Sequence, residues 1–146
     1  IGQAPEVLAT EALGSCLCLT VYDPISQLGG LLHAMLPLSK INTRKAAQNP
    51  FMFVDTGIPE LFQALSENDT HKERWKVKAV GCGNPMGAKE VFKIGERNYR
   101  VLQQILSKEG ICLAAEDIGG TISRKVALDL ASGQTIVYSN GTERVL

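Results

Sequence analysis

The chain has 146 residues, about one domain on the usual length prior and long enough to bury roughly 70% of its unfolded surface in one core. Hydrophobic residues make up 45% and charged residues 21%, which excludes collagen-like, low-complexity and disordered chains. Fifteen Lys and Arg balance fifteen Asp and Glu, without the basic excess that phosphate neutralisation asks of a nucleic-acid binder, so nucleic acid is not expected as a partner.

Glu6 to Glu11 (EVLATE) mixes apolar and β-branched residues as a strand does, and Leu13, Gly14 and Ser15 then form a tight turn opening onto Cys16. Cys16 to Tyr22 (CLCLTVY) reads as a second strand, ended by Asp23 and Pro24, and Gly29 to Leu36 (GGLLHAML) as a further buried strand that carries His33. Pro37 to Pro50 is polar, basic and without sustained apolar period, so it reads as a surface loop long enough to act as a flap. From Asp55, the spacing of Ile58, Leu61, Phe62 and Leu65 predicts a helix, with Pro59 accommodated in the first turn.

Ser66 to Glu73 is a solvated connection, and Trp75 to Val80 alternates apolar and basic residues like a half-exposed strand running into GCGNPMG. Gly95 to Lys108 predicts a second amphipathic helix with Tyr99, Leu102, Ile105 and Leu106 inward and Gly110 as its C-cap. Ile111 to Ala115 reads as a buried strand, followed by a polar turn at Glu116, Asp117, Gly119 and Gly120. Lys125 to Val137 forms a hairpin around Ala131, Ser132 and Gly133. Grouped strands with two long helices fit an α+β layered architecture better than an alternating α/β one. The longest apolar runs fall far short of a bilayer span and no charged segment precedes a signal-like core, so a cytoplasmic protein without membrane insertion is expected.

The chemistry narrows to few residues. Of the two histidines, His71 lies in a charged loop and reads as solvated, whereas His33 sits among Leu31, Leu32, Ala34 and Met35, where an imidazole is either satisfied by a hydrogen bond or placed for work. Cys16 follows three small or apolar turn residues, an arrangement that lets backbone N–H groups face a developing oxyanion. At its free pKa of about 8.5 a cysteine is only about 3% thiolate at pH 7, so a nucleophilic Cys16 needs a base such as His33. Cys16, Cys18 and His33 also invite a metal reading, but no second Cys or His pair stands at zinc-like spacing, and neither metal nor cofactor is expected. Cys18, Cys82 and Cys112 read as reduced, buried small hydrophobes.

Thr10 to Cys16 (TEALGSC), Asp23 and Pro24, Gly30 to Pro37 (GLLHAMLP), Phe53 to Ile58 (FVDTGI), Phe92 to Asn98 (FKIGERN) and Ala115 to Arg124 (AEDIGGTISR) together resemble, in order, the segments of the CheD chemoreceptor glutamine deamidases. The resemblance spans nearly the whole chain and implies one deamidase domain, residues 1–146. It implies Cys16 as nucleophile, His33 as base and Thr10 as the residue that holds the imidazole, with Gly14 and Ser15 lining the site or its oxyanion hole. It also implies a layered β-sandwich with flanking helices, like that of a toxin class of cysteine glutamine deamidases. The substrate would be the cytoplasmic helical region of chemoreceptors and the regulatory partner the phosphatase CheC. The alternative is an adaptor that binds receptors or CheC without turnover. The chain departs from the family at Gly81 to Met86 (GCGNPM), where the family shows G-G-A-x-M-F, so contacts made by that loop are not carried over.

Overall fold

The computed structural model describes residues 1–146. In chain order its elements are β1 (Gly2–Gln3), β2 (Val7–Ala9), β3 (Leu17–Asp23), β4 (Leu28–Ala34), α1 (Thr43–Gln48), α2 (Val54–Ser66), β5 (Lys76–Gly81), α3 (Ile94–Glu109), β6 (Ala115–Ile118), β7 (Lys125–Asp129), β8 (Thr135–Ser139) and β9 (Thr142–Val145).

Two sheets form. One has the order β1-β4-β3-β5-β6 and the other β2-β7-β8-β9. Every pairing is antiparallel except β5 with β6, which are parallel and joined through α3, as a parallel pair requires a crossover connection. All seven residues of β3 are buried, because this central strand is covered on both faces. Leu17, Leu19 and Val21 point to one side, where α2 contributes Val54, Ile58, Leu61, Phe62 and Leu65 and α3 contributes Leu102 and Leu106. Cys18, Thr20 and Tyr22 point to the other, where Val126, Leu128, Leu130 and Val137 of the second sheet and its turn meet them, and the hydroxyls of Thr20 and Thr135 bond at 3.1 Å. The molecule is therefore three layers, helices on a sheet on a sheet, and each fully buried Leu or Val in it is worth about 1.5–3 kcal/mol of transfer free energy.

Several expectations are corrected. Pro37 to Pro50 is not structureless: it holds a 3₁₀ turn at Ser39–Ile41 and the six-residue α1, capped by the Asn42 side chain, which accepts from the Lys45 N–H at 3.0 Å. Neither segment buries a residue, so apolar periodicity could not reveal them. Helix α2 begins at Val54, which leaves Pro59 inside the helix rather than in its first turn and removes one N–H from its ladder. The strand expected over Ile111 to Ala115 is formed instead by Ala115–Ile118, so Glu116 and Asp117 belong to an edge strand rather than a turn. Parallel register with β5 begins at Lys78 opposite Ala115; Ile111 and Leu113 pack on the core before pairing starts. Strand β9 extends the expected hairpin by one exposed strand.

Candidate active site

The turn before β3 is held by hydrogen bonds from three directions. Leu13 exchanges both N–H···O bonds with Arg124, at 2.6 and 3.1 Å, tying the turn to the start of β7. The Gly83 N–H donates to the Gly14 carbonyl at 2.9 Å and the Cys82 N–H to the Cys16 carbonyl at 2.7 Å, tying it to the end of β5. Asn98 of α3 closes the third side: its Nδ2 donates to the Ser15 carbonyl at 2.9 Å and to the Met35 carbonyl at 3.2 Å. The departing GCGNPM loop thus forms the floor under Gly14, Ser15 and Cys16. It is seated in turn by the Asn84 N–H on the Gly120 carbonyl, 2.7 Å, and the Gly119 N–H on the Gly81 carbonyl, 2.9 Å. Gly95 lets α3 rest directly on this floor, since a β-carbon there would overlap the Cys82 and Gly83 carbonyls.

Strand register places the side chains. Cys18 stands opposite His33 in the β3–β4 pair, and opposed residues of an antiparallel pair share a face. Leu31, two residues before His33, packs on the clusters between the sheets, and Cys16, two residues before Cys18, packs on one of the same clusters. Cys16 and His33 are therefore diagonal neighbours on the inter-sheet face. Both are half-buried.

Thr10 arrives from the second sheet. It continues the β2–β7 pairing by donating its N–H to the Val126 carbonyl at 2.8 Å, while its hydroxyl accepts from the Val126 N–H at 3.0 Å. Val126 is buried between the sheets, so Thr10, opposite it, turns to the same interior. The structure shows no hydrogen bond between the Thr10 hydroxyl and His33, whose Nε2 is buried without a partner.

Burial dominates the electrostatics. It pushes the Cys16 thiol above its ordinary pKa, with the residue's own backbone N–H pulling part of the way back, and it pushes the His33 imidazole below its ordinary value. Burial thus favours the neutral thiol and the neutral imidazole, whose unprotonated ring nitrogen keeps a lone pair. Cys82, under the turn, is pushed up to about 12 by burial and then by the nearby Cys16, and burial likewise pushes Cys18 upward. Both behave as inert core thiols. Cys112, expected buried, is exposed instead, because it lies on the approach to β6 rather than within a strand. His71 is exposed as expected. No three His, Cys, Asp or Glu side chains converge as metal ligands would.

The family model for CheD chemotactic sensory transduction matches residues 35–139. The chain belongs to the CheD family. It is 46% identical over its full length to the probable chemoreceptor glutamine deamidase CheD of Solibacter usitatus, covering 87% of that protein. It is 38% identical to a protein of the same description from Syntrophus aciditrophicus, with 93% of this chain and 85% of the relative covered. A third, from Pyrococcus horikoshii, is 37% identical over 92% of this chain and 83% of its own. The Solibacter usitatus relative, matched over the full chain, thus spans the turn, β3, β4 and Thr10.

Sequence reading missed Asn98 and the loop beneath the turn. Asn98 had a visible signal: on α3 it shares the inward stripe with Gly95, Leu102 and Leu106, where an uncharged amide needs partners to be buried. The loop had none, because its bonds are made by backbone groups whose direction no side chain announces.

Proposed function

We propose that this protein hydrolytically deamidates glutamine side chains on the cytoplasmic helical region of chemoreceptors, converting them to glutamate. The single observation that supports the reading is the β3–β4 register, which sets Cys18 opposite the half-buried His33 and so Cys16 one step diagonal to it, in a chain whose relatives are described as chemoreceptor glutamine deamidases.

His33 takes the Cys16 proton as the sulfur attacks the carboxamide carbon, and the resulting tetrahedral oxyanion collapses as the imidazolium protonates departing ammonia. A γ-glutamyl thioester is left on Cys16. Water, deprotonated by His33, adds to the thioester, and collapse of the second oxyanion returns the thiol and leaves glutamate. Thr10 orients the imidazole: the Val126 N–H locates its hydroxyl oxygen, which keeps a second lone pair for an imidazole N–H. Gly14 and Ser15 line the site. The resemblance extends this reading to a single cytoplasmic domain over residues 1–146, to CheC as regulatory partner and to a likeness with the toxin deamidases; no helix here is long and apolar enough to cross a membrane.

The test is ammonia release and Gln-to-Glu conversion on a purified receptor cytoplasmic fragment, with Cys16→Ala alongside. Conversion by the native chain and none by the variant is expected. Equal conversion by both overturns Cys16 as nucleophile, and receptor binding without any conversion favours the adaptor alternative.

A further inference from the structure

Asn98 is fully buried, and its one amide nitrogen spends both hydrogens on carbonyls that flank the reactive pair: Ser15, immediately before Cys16, and Met35, two residues after His33. The opposite amide orientation would set Oδ1 against two carbonyl oxygens, so the chemistry of the partners requires nitrogen on this side. As it stands, Oδ1 is buried with no partner, a cost that a residue serving only to fill space would not carry.

The Ser15–Cys16 peptide is planar, so its C=O and N–H point in opposite directions. With the carbonyl drawn into the core towards α3, the Cys16 N–H is turned away from α3. No backbone acceptor takes it, and it lies beside its own sulfur, the side on which a carbonyl carbon bonded to that sulfur would carry its oxygen.

We propose that Asn98 is a positioning residue for the deamidation reaction: by holding the Ser15 carbonyl inward it presents the Cys16 N–H as an oxyanion donor, and by holding the Met35 carbonyl it sets the end of the His33 strand against that donor. This rests on Cys16 being the nucleophile, as proposed above. Asn98 touches no reacting atom. Its main contribution is realised when negative charge develops on the glutamine oxygen, not when the substrate is bound; the Cys16 N–H also draws its own thiol part of the way down.

The test compares native protein, Asn98→Asp, which keeps the shape, and Asn98→Leu, which keeps the volume and removes the donors, on a receptor cytoplasmic fragment. Loss of one oxyanion donor costs about 10²- to 10³-fold in kcat, and a fall of about 10²-fold with KM unchanged is expected for both. Alkylation of Cys16 by iodoacetamide passes through no oxyanion, so its limiting rate, at a pH high enough to ionise the thiol in all three proteins, is expected to stay within about twofold of native. Should Asn98→Leu not fold, the isosteric Asn98→Asp carries the same comparison. Unchanged kcat overturns the proposal, and so does a parallel fall in alkylation, which would mark a general disturbance of the turn. Cys16→Ala assayed in parallel separates the cases: activity surviving in that variant refutes the nucleophile assignment, whereas activity lost there and retained in both Asn98 variants refutes the role of Asn98 alone.

Discussion

Gly81 meets the carbonyl of Cys16 so closely that a β-carbon on it would overlap that oxygen, and its φ of +103° lies where side chains are strained in any case. Gly81→Ala must therefore move either the end of β5 or the backbone of Cys16. The left-handed backbone alone costs about 1–2 kcal/mol, and the overlap takes the expected loss above about 2 kcal/mol, with deamidation falling as well. Gly110, the α3 C-cap at φ +66° with open space around it, is the control: Gly110→Ala is expected to cost about 1 kcal/mol and leave activity unchanged. Denaturant melts and the ammonia assay on both variants check the contrast.

Thr10 serves two masters, since its hydroxyl accepts from Val126 and is proposed to orient His33. Thr10→Val removes the oxygen and leaves the Val126 N–H unmet, at a cost of about 1–3 kcal/mol; activity is expected to fall more than tenfold. Thr10→Ser keeps the oxygen and is expected to retain most of both. Equal deamidation rates for the two, measured well below their melting temperatures, would show that the hydroxyl does not act on the imidazole.

His33 is held neutral by burial, with a folded pKa below its ordinary value of about 6.5. Its unfolded form takes up a proton first, so its stabilising contribution is present above about pH 6.5 and is lost as pH falls through the folded value. The melting temperature is expected to decline between about pH 7 and 5, and His33→Gln to flatten that decline. Activity needs the neutral base and follows the lower, folded value, so turnover is expected to persist below pH 6.5. A kcat/KM profile with its acid limb above 6.5 would contradict this.

Asp23 accepts from the Ile25 and His71 N–H groups and from the Arg74 guanidinium at 2.9, 3.2 and 2.8 Å, with its own side chain wholly buried. Burial pushes its carboxyl up, but these bonds outweigh it and hold it below the usual carboxylate range. Arg74→Met strands the charge. The expected loss is about 2 kcal/mol rather than the 3–5 of a fully buried pair, because Arg74 remains 31% exposed. A depressed carboxyl stabilises above its unfolded pKa, so the difference between native and variant should shrink once pH falls below about 4 and vanish as it falls through the lower, folded value; a difference that does not shrink with acid would refute the ion pair as its source.

The parts of this fold that were legible are those with a period or an unbroken apolar run. Helices α2 and α3 each bury one face of a regular pattern, β3 is an unbroken apolar run buried on both faces, and the motif order pointed to Cys16, His33 and Thr10. What escaped lacks that pattern. Helix α1 buries nothing, β9 is exposed throughout, and β6 is acidic because Asp117 is neutralised there by Arg124 and Arg144, partners that only the fold brings near. Nothing local in the FKIGERN segment marks a role for Asn98, since both of its bonds reach residues more than sixty positions away.

Strand β2 finds its sheet partner in β7, more than a hundred residues downstream, while Cys16 and His33 lie together in a local hairpin. During synthesis β3 and β4 can pair long before the strand that seats Thr10 leaves the ribosome. The proposed catalytic pair thus depends on a local pairing and its alignment on a distant one, so the onset of deamidation would report the docking of the second sheet rather than the formation of the first.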